Sequence, residues 1–67
     1  MRRGTVKSEL IRSIGHDKDI LEVEYVDGPV FQYTAVPFSV FRKLATAKHP
    51  GKLWLGMRDQ FKAKRIS

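Results

Sequence analysis

The sequence predicts an α+β fold, in which a three-stranded antiparallel meander, or a four-stranded one if the C-terminal tail joins it, packs against two short helices. Three observations favour this fold. Apolar and acidic residues alternate over residues 20–26, the pair Asp27-Gly28 marks a tight hairpin, and after Pro37 the apolar spacing changes to three or four residues. The chain has 67 residues, so residues 1–67 are expected to form a single domain.

Two strands are expected before the hairpin. Residues 10–16 form the first, and strict alternation would place Ile11 and Ile14 on opposite faces of it. A glycine and two aspartates predict a turn over residues 15–19. In the second strand, residues 20–26, the apolar side chains face one side and two glutamates face the other.

A third strand follows Asp27-Gly28. It covers residues 30–34, and its alternation directs Phe31 and Tyr33 toward the interior. At the other end of the chain, residues 1–5 contain two arginines and a glycine but no apolar anchor. They are therefore expected to form a flexible basic arm.

The first helix is expected to begin near Pro37, a residue that suits the first helical turn. It is predicted from an apolar stripe at helical spacing, formed by Phe38, Phe41 and Ala45 and flanked by Val40 and Leu44. Pro50 cannot continue the hydrogen-bond ladder, so the helix is expected to end or bend at His49-Pro50-Gly51.

A second short helix is expected within residues 52–61. Leu53, Met57 and Phe61 recur every four residues, and this spacing favours a helix in spite of Gly56. For the tail, residues 62–67, the alternation of basic and apolar residues leaves two alternatives open, a short closing strand or a loose end.

Charge is distributed unevenly along the chain. The net charge is +6 and the sequence pI is about 10.1. Residues 1–15 carry four basic and one acidic side chain, residues 16–27 carry one basic and five acidic, and residues 42–67 carry eight basic and one acidic. If the two ends converge, they form a basic face suited to phosphates or to an acidic protein surface. The alternative is a solvated surface that only keeps a small protein soluble.

A longer pattern of residues points to a known family. It consists of Ser8, Ile11, Ser13-Ile14-Gly15, Leu21-Glu22-Val23-Glu24-Tyr25, Gly28, Phe31-Gln32-Tyr33, Val36-Pro37, Phe41, Ala47, Gly51 and Arg58. Over residues 6–66 the chain resembles the KTSC domain, which is named for the C-terminus of some lysyl-tRNA synthetases and also occurs as short stand-alone proteins in bacteria and phages. The resemblance implies the fold more than a chemistry, and by association it implies a nucleic-acid or translation-related partner.

The chain departs from the family's pattern at two places. His16 stands where a tyrosine is common, and residues 53–58 lack an asparagine that the family usually has. A role attached to that asparagine is therefore not carried over to this chain.

The residue types argue against a metal site and against an enzyme. The chain has no cysteine, and its two histidines, His16 and His49, have no metal-binding spacing. Glu22 and Glu24 share a strand face at a spacing that suits paired-carboxylate chemistry, but exposed strand glutamates are far commoner. No phosphate-binding loop, dinucleotide fingerprint or nucleophile-elbow motif is present. A non-enzymatic protein without metal or cofactor is expected.

The candidate binding residues are cations and one tryptophan. The cations expected to contact an anionic partner are Arg2, Arg3, Lys52, Arg58, Lys62, Lys64 and Arg65. Trp54 is the candidate for stacking on a base, and the alternative is that so small a core needs its ring inside. Tyr25, Phe31 and Tyr33 have the same two alternatives, an exposed platform or burial beneath the helices, and burial is the commoner outcome.

These features predict a non-catalytic binding module that recognises an anionic partner, with RNA or another nucleic acid favoured. Two alternatives stay open. One is a small phage-type protein that docks on an acidic surface of a host protein and inhibits it. The other is a homo-oligomer that binds a small nucleotide between subunits, with arginines on its phosphates. No apolar run approaches the roughly 20 residues that span a membrane, and no secretion signal is present, so a cytoplasmic protein is expected.

Overall fold

The computed structural model describes residues 4–5 and 9–67, which form a five-stranded antiparallel sheet, two α-helices and one 3₁₀ helix. The strands are β1 (Gly4–Thr5), β2 (Ile11–Asp17), β3 (Ile20–Tyr25), β4 (Val30–Tyr33) and β5 (Ala63–Arg65). The helices are α1 (Phe38–Thr46) and α2 (Pro50–Leu55), and the 3₁₀ helix is Arg58–Gln60. The strands lie in chain order, β1-β2-β3-β4-β5. The α+β meander is therefore confirmed, and of the two alternatives for the tail the closing strand is correct.

The sheet also has a strand that the sequence did not predict. Gly4 lies opposite Ile14 and Thr5 lies opposite Ser13, so both residues pair with β2. The expectation of a flexible arm does not hold for these two residues, because a strand edge supplies partners for their backbone. The rest of that arm, residues 1–3, lies outside the described residues.

A β-bulge at Arg12 changes which side chains of β2 face the core. Ile11 lies opposite Tyr25, and the next paired residue, Ser13, lies opposite Glu24. The extra residue lets Ile11 and Ile14 face the same side, and they are 0% and 2% exposed. The prediction that they lie on opposite faces is wrong, since alternation is interrupted by one residue.

The two hairpins differ in how well the sequence predicted them. The β2–β3 turn consists of Lys18 and Asp19 alone, both with positive φ (49° and 62°), as a two-residue hairpin of the primed type requires. It is shorter than the predicted turn, and Gly15 is a buried residue of β2. The Asp27-Gly28 hairpin is confirmed, and Gly28 adopts the positive φ of 116° that favours glycine.

Helix α1 has the predicted period but a different buried side. Leu44 is its buried residue, and Val40 and Phe41 pack partly against the core. Phe38 is 59% exposed and Ala45 is also exposed. The predicted stripe is therefore wrong at both ends, because the helix presents its Val40–Leu44 side to the sheet.

Helix α2 begins earlier and ends earlier than predicted. Pro50 is its first residue, since a proline at that position sacrifices no hydrogen bond, and the helix ends at Gly56. Leu53, Met57 and Phe61 all pack partly against the core, although only Leu53 belongs to the helix.

The sheet has two faces of different character. On the helix face, side chains from the three central strands join the helices in the core: Ile11, Ile14, Leu21, Val23, Tyr25, Tyr33, Val36, Leu44 and Trp54. On the opposite face, Ser13 donates a hydrogen bond to Glu24 (2.9 Å) and Gln32 donates one to Glu22 (3.1 Å). Neither helix in the described ranges is long and apolar enough to cross a membrane.

Candidate functional site

A groove of about 360 Å³ opens on the helix face where β4 pairs with β5. Helix α1 packs against β2, so it covers the part of the sheet that lies away from β4 and β5. We call this opening the aromatic groove; its lining residues are Tyr25, Phe31, Tyr33, Arg58, Asp59, Phe61 and Ala63. Its walls thus combine four aromatic side chains with one cation and one carboxylate.

A hydrogen-bonded chain of buried side chains forms the back wall of the groove. The Trp54 indole donates from Nε1 to the Tyr25 hydroxyl (3.0 Å), and the Tyr25 and Tyr33 hydroxyls are hydrogen-bonded to each other. The ring of Trp54 also meets Tyr33 edge to face, with centroids 4.8 Å apart. These contacts hold both tyrosine hydroxyls in one buried hydrogen-bonded cluster.

Two groups of the groove, Tyr33 and Arg58, have raised pKa values, so each keeps the proton that it normally carries at neutral pH. Burial, and next the hydrogen bond that the Tyr33 hydroxyl makes with Tyr25, raises the pKa of Tyr33 above its ordinary value. The Arg58 guanidinium interacts with the Tyr25 hydroxyl, and this contact raises the pKa of Arg58. At neutral pH the groove therefore presents a protonated Tyr33 and a permanent cation.

Phe31 is the ring of the sheet that the helices cover least. It is half-buried, whereas Tyr25 and Tyr33 are buried. Tyr25 packs against its edge (5.8 Å between centroids, 78° between planes), and Tyr33 lies beside it at 6.3 Å and 30°. Phe61 is also half-buried and stacks on Trp54 at 5.9 Å and 11°. Part of the Phe31 ring therefore remains available to a ligand.

The C-terminal cations divide between the two faces of the sheet. Arg65 lies directly opposite Phe31 in the β4–β5 register, so both side chains project from the helix face. Lys64 lies opposite Gln32 and shares the opposite face with Glu22. Lys62 comes just before β5 and is exposed. Arg58 thus lines the groove, whereas Arg65 lies next to Phe31 and donates a hydrogen bond from Nε to the Ser67 carbonyl (3.1 Å). Lys64 is directed away from the groove.

Lys52 does not join this site. Lys52 is exposed on α2 and lines a separate pocket with Glu9 and His49. Arg2 and Arg3 lie outside the described residues. The described cations therefore do not share one face, because helix α2 and the alternation of β5 direct them to different sides.

Trp54 is not available for stacking on a base. Its side chain is 0% exposed, its N–H is bonded to Tyr25, and Phe61 covers its ring. The stacking prediction is wrong and its alternative, core packing, is confirmed. The sequence left Phe31 open between an exposed platform and burial, because alternation places it correctly on the inner face but does not show where the helical layer ends.

A second aromatic cluster lies around His16, away from the groove. His16 donates a hydrogen bond from Nε2 to the Val36 carbonyl (2.7 Å), and its ring lies 5.6 Å from Phe38 and 5.7 Å from Phe41. His16 thus packs between aromatic rings at the position where the family commonly has a tyrosine. Across residues 4–5 and 9–67, no three metal-ligating side chains converge.

Comparisons with known proteins agree with the resemblance seen in the sequence. The model of the KTSC domain matches residues 7–54, which is most of the chain. An uncharacterized protein of Stutzerimonas stutzeri is 39% identical over 54 residues, covering 78% of this chain and 76% of the relative. The crystal structure of a KTSC domain protein from Yersinia pestis is 30% identical, with a TM-score of 0.89 over 98% of this chain and 97% of that one. The structural match spans β5 and the groove, and we conclude that the chain belongs to the KTSC domain family.

Proposed function

We propose that the protein is a non-catalytic binding module for single-stranded nucleic acid, with RNA favoured, and that a base stacks on Phe31 in the aromatic groove. One observation carries the proposal: the half-buried ring of Phe31 lies in a groove that Arg58 also lines, and Arg65 lies opposite Phe31 on the neighbouring strand. Sheet-type RNA-binding proteins use the same combination, a ring for the base and cations for the backbone.

Stacking and charge have separate roles in this site. A base that stacks on an aromatic side chain gains about 1–3 kcal/mol, and the gain depends little on which base it is. A guanidinium binds phosphate through parallel N–H donors and keeps its charge at any physiological pH. Arg65 beside Phe31 can therefore hold the phosphate of the nucleotide whose base lies on the ring.

The edge of the sheet extends the positive surface beyond the groove. Strand β5 is exposed along its whole length, and Lys62 and Lys64 are exposed with it. A strand of nucleic acid that crosses this edge would meet these two cations after Arg65. Each phosphate contacted would add to the affinity and to its dependence on salt.

The chemistry of the groove supports binding rather than catalysis. A general acid or base needs a pKa near the working pH. The pKa of Tyr33 is raised by burial, and that of Arg58 is raised by its contact with Tyr25, so neither group exchanges a proton near neutral pH.

Binding of a fluorescently labelled single-stranded RNA, followed by anisotropy at several salt concentrations, tests the proposal. Phe31→Leu is expected to weaken binding about tenfold, as the loss of one stacked base predicts. Arg65→Gln is expected to reduce the salt slope by about 0.7. Lys43→Gln is the matched control, because Lys43 is an exposed cation in the last turn of α1 and does not line the groove.

The outcomes separate the proposal from its alternatives. No binding at low salt, or an equal effect of Lys43→Gln and Arg65→Gln, would contradict it. Capture of one acidic protein from a cell extract in place of RNA would favour the host-protein alternative. Competition by a free mononucleotide, with a fixed number bound per oligomer, would favour the small-nucleotide alternative.

A further inference from the structure

We propose that the aromatic groove discriminates among bases through Asp59 and that it prefers guanine. This inference rests on the proposed function and names the ligand of the same site. It starts from a feature that phosphate binding does not explain, a carboxylate in the lining of a groove whose other polar and aromatic groups are one arginine and four rings.

Asp59 belongs to the 3₁₀ helix Arg58–Gln60, directly after Arg58. Its side chain is exposed and lines the groove, and its interaction with the Arg58 guanidinium is electrostatic. The carboxylate thus stands at the groove wall, where a ligand can reach it. Asp59 lines the groove itself, whereas Arg65, the last residue of β5, lies opposite Phe31 and outside the lining.

An ionised carboxylate repels phosphate and accepts hydrogen bonds without donating any. The part of the ligand beside Asp59 must therefore carry N–H donors, and the phosphate must lie elsewhere. Arg65, opposite Phe31, supplies that second position. A nucleotide would then lie with its base on Phe31, its phosphate toward Arg65 and its Watson–Crick edge toward Asp59.

The bases differ in what they offer to a carboxylate. Guanine has two adjacent donors on its Watson–Crick edge, N1–H and the exocyclic amino group, which match the two oxygens of Asp59. Adenine and cytosine offer only the amino group beside a ring nitrogen that accepts. Uracil offers one N–H between two carbonyl oxygens that the carboxylate repels. Guanine is therefore expected to bind most tightly and uracil least.

The test compares four short RNA strands of equal length that differ only in the central base of an otherwise uridine sequence. For the natural protein, the strand with guanosine is expected to bind about tenfold more tightly than the all-uridine strand, which is the discrimination of one good bidentate contact. With Asp59→Asn this ratio is expected to fall below about twofold, while the all-uridine strand binds at least as well, because a negative charge has been removed.

Asp17→Asn is the matched control. Asp17 is exposed at the end of β2, so this variant makes the same change of charge at a distant hairpin, and the guanosine preference is expected to stay. Equal binding of the four strands by the natural protein would overturn the inference and leave the proposed function intact. A preference that survives Asp59→Asn would also overturn it. Failure to bind any of the four strands would overturn both.

Discussion

The buried hydrogen bonds behind the groove make a sharp prediction about stability. The Tyr25 hydroxyl is the middle member of this hydrogen-bonded series, since it accepts a hydrogen bond from Trp54 Nε1–H and is hydrogen-bonded to the Tyr33 hydroxyl. Tyr25→Phe removes that oxygen and leaves the indole N–H without its acceptor. Trp54 is fully buried, so its indole N–H has no direct contact with bulk water in the folded state.

The magnitude follows from the cost of an orphaned buried donor, about 1–3 kcal/mol. We expect Tyr25→Phe to lower the free energy of unfolding by about 2 kcal/mol. A domain of this size loses roughly 4–8 °C of Tm per kcal/mol, so the expected fall is roughly 8–16 °C. Tyr33→Phe is the matched control, because it removes the last hydroxyl of the hydrogen-bonded series but leaves the Trp54–Tyr25 hydrogen bond. We expect it to lower the free energy of unfolding by about 1 kcal/mol.

Circular dichroism during heating and during urea unfolding measures both quantities. The urea slope should be the same for the natural protein and the two variants, which would show that the surface exposed on unfolding has not changed. The reasoning is refuted if Tyr25→Phe costs no more than Tyr33→Phe. It is also refuted if Tyr25→Phe lies within about 0.5 kcal/mol of the natural protein, the range of an ordinary surface substitution.

Three further predictions concern the core, one hairpin and alkaline pH. Leu44 is the fully buried residue of α1, so Leu44→Ala should lower the free energy of unfolding by about 2–5 kcal/mol in a urea titration. A loss below about 1 kcal/mol would mean that α1 does not close the core. Gly28→Ala should cost about 1–2 kcal/mol through its φ of 116° alone, since no atom lies within 4 Å of an added Cβ; an unchanged Tm would contradict this. Burial raises the pKa of Tyr33 in the folded state, so the folded protein keeps a proton that the unfolded chain loses near pH 10.0. The free energy of unfolding should therefore fall as pH rises above about 10, more steeply for the natural protein than for Tyr33→Phe, and equal slopes would contradict this assignment.

The strands were predictable where local pattern and local structure coincide. In β3 the strict alternation and the following Asp27-Gly28 turn depend only on neighbouring residues, and both were predicted correctly. In β2 the bulge at Arg12 depends on how the strand pairs with Tyr25 and Glu24. Alternation alone cannot reveal an inserted residue, so the faces of Ile11 and Ile14 were assigned incorrectly.

The helices show the same limit in a different form. The period of α1 was visible in the sequence, but apolar residues lie on more than one side of this short helix. Which side is buried depends on the docking of the helix against β2, and Leu44 rather than Phe38 meets the sheet. Gly56 ends α2 because a six-residue helix has little propensity to spare for a residue that disfavours helices.

The candidate site was predictable in residue type and less so in location. Arg58 and Arg65 were identified as candidate binding residues from charge alone, and the structure adds that Arg58 lines the groove and that Arg65 lies opposite Phe31. Trp54 was named as the stacking candidate with core packing as its alternative, and the structure buries it, whereas Phe31 is only half-buried. The distinction depends on long-range packing between β4, β5 and Phe61, which no local pattern records.

The position of the single tryptophan has a practical consequence for any search for ligands. An indole emits light whose wavelength and intensity respond to its surroundings, and this one contacts three residues of the groove lining, Tyr25, Tyr33 and Phe61. A molecule that enters the groove and shifts those neighbours would change the emission of the unmodified protein. Oligonucleotides, nucleotides and acidic peptides can thus be screened by intrinsic fluorescence, with no dye attached to either partner.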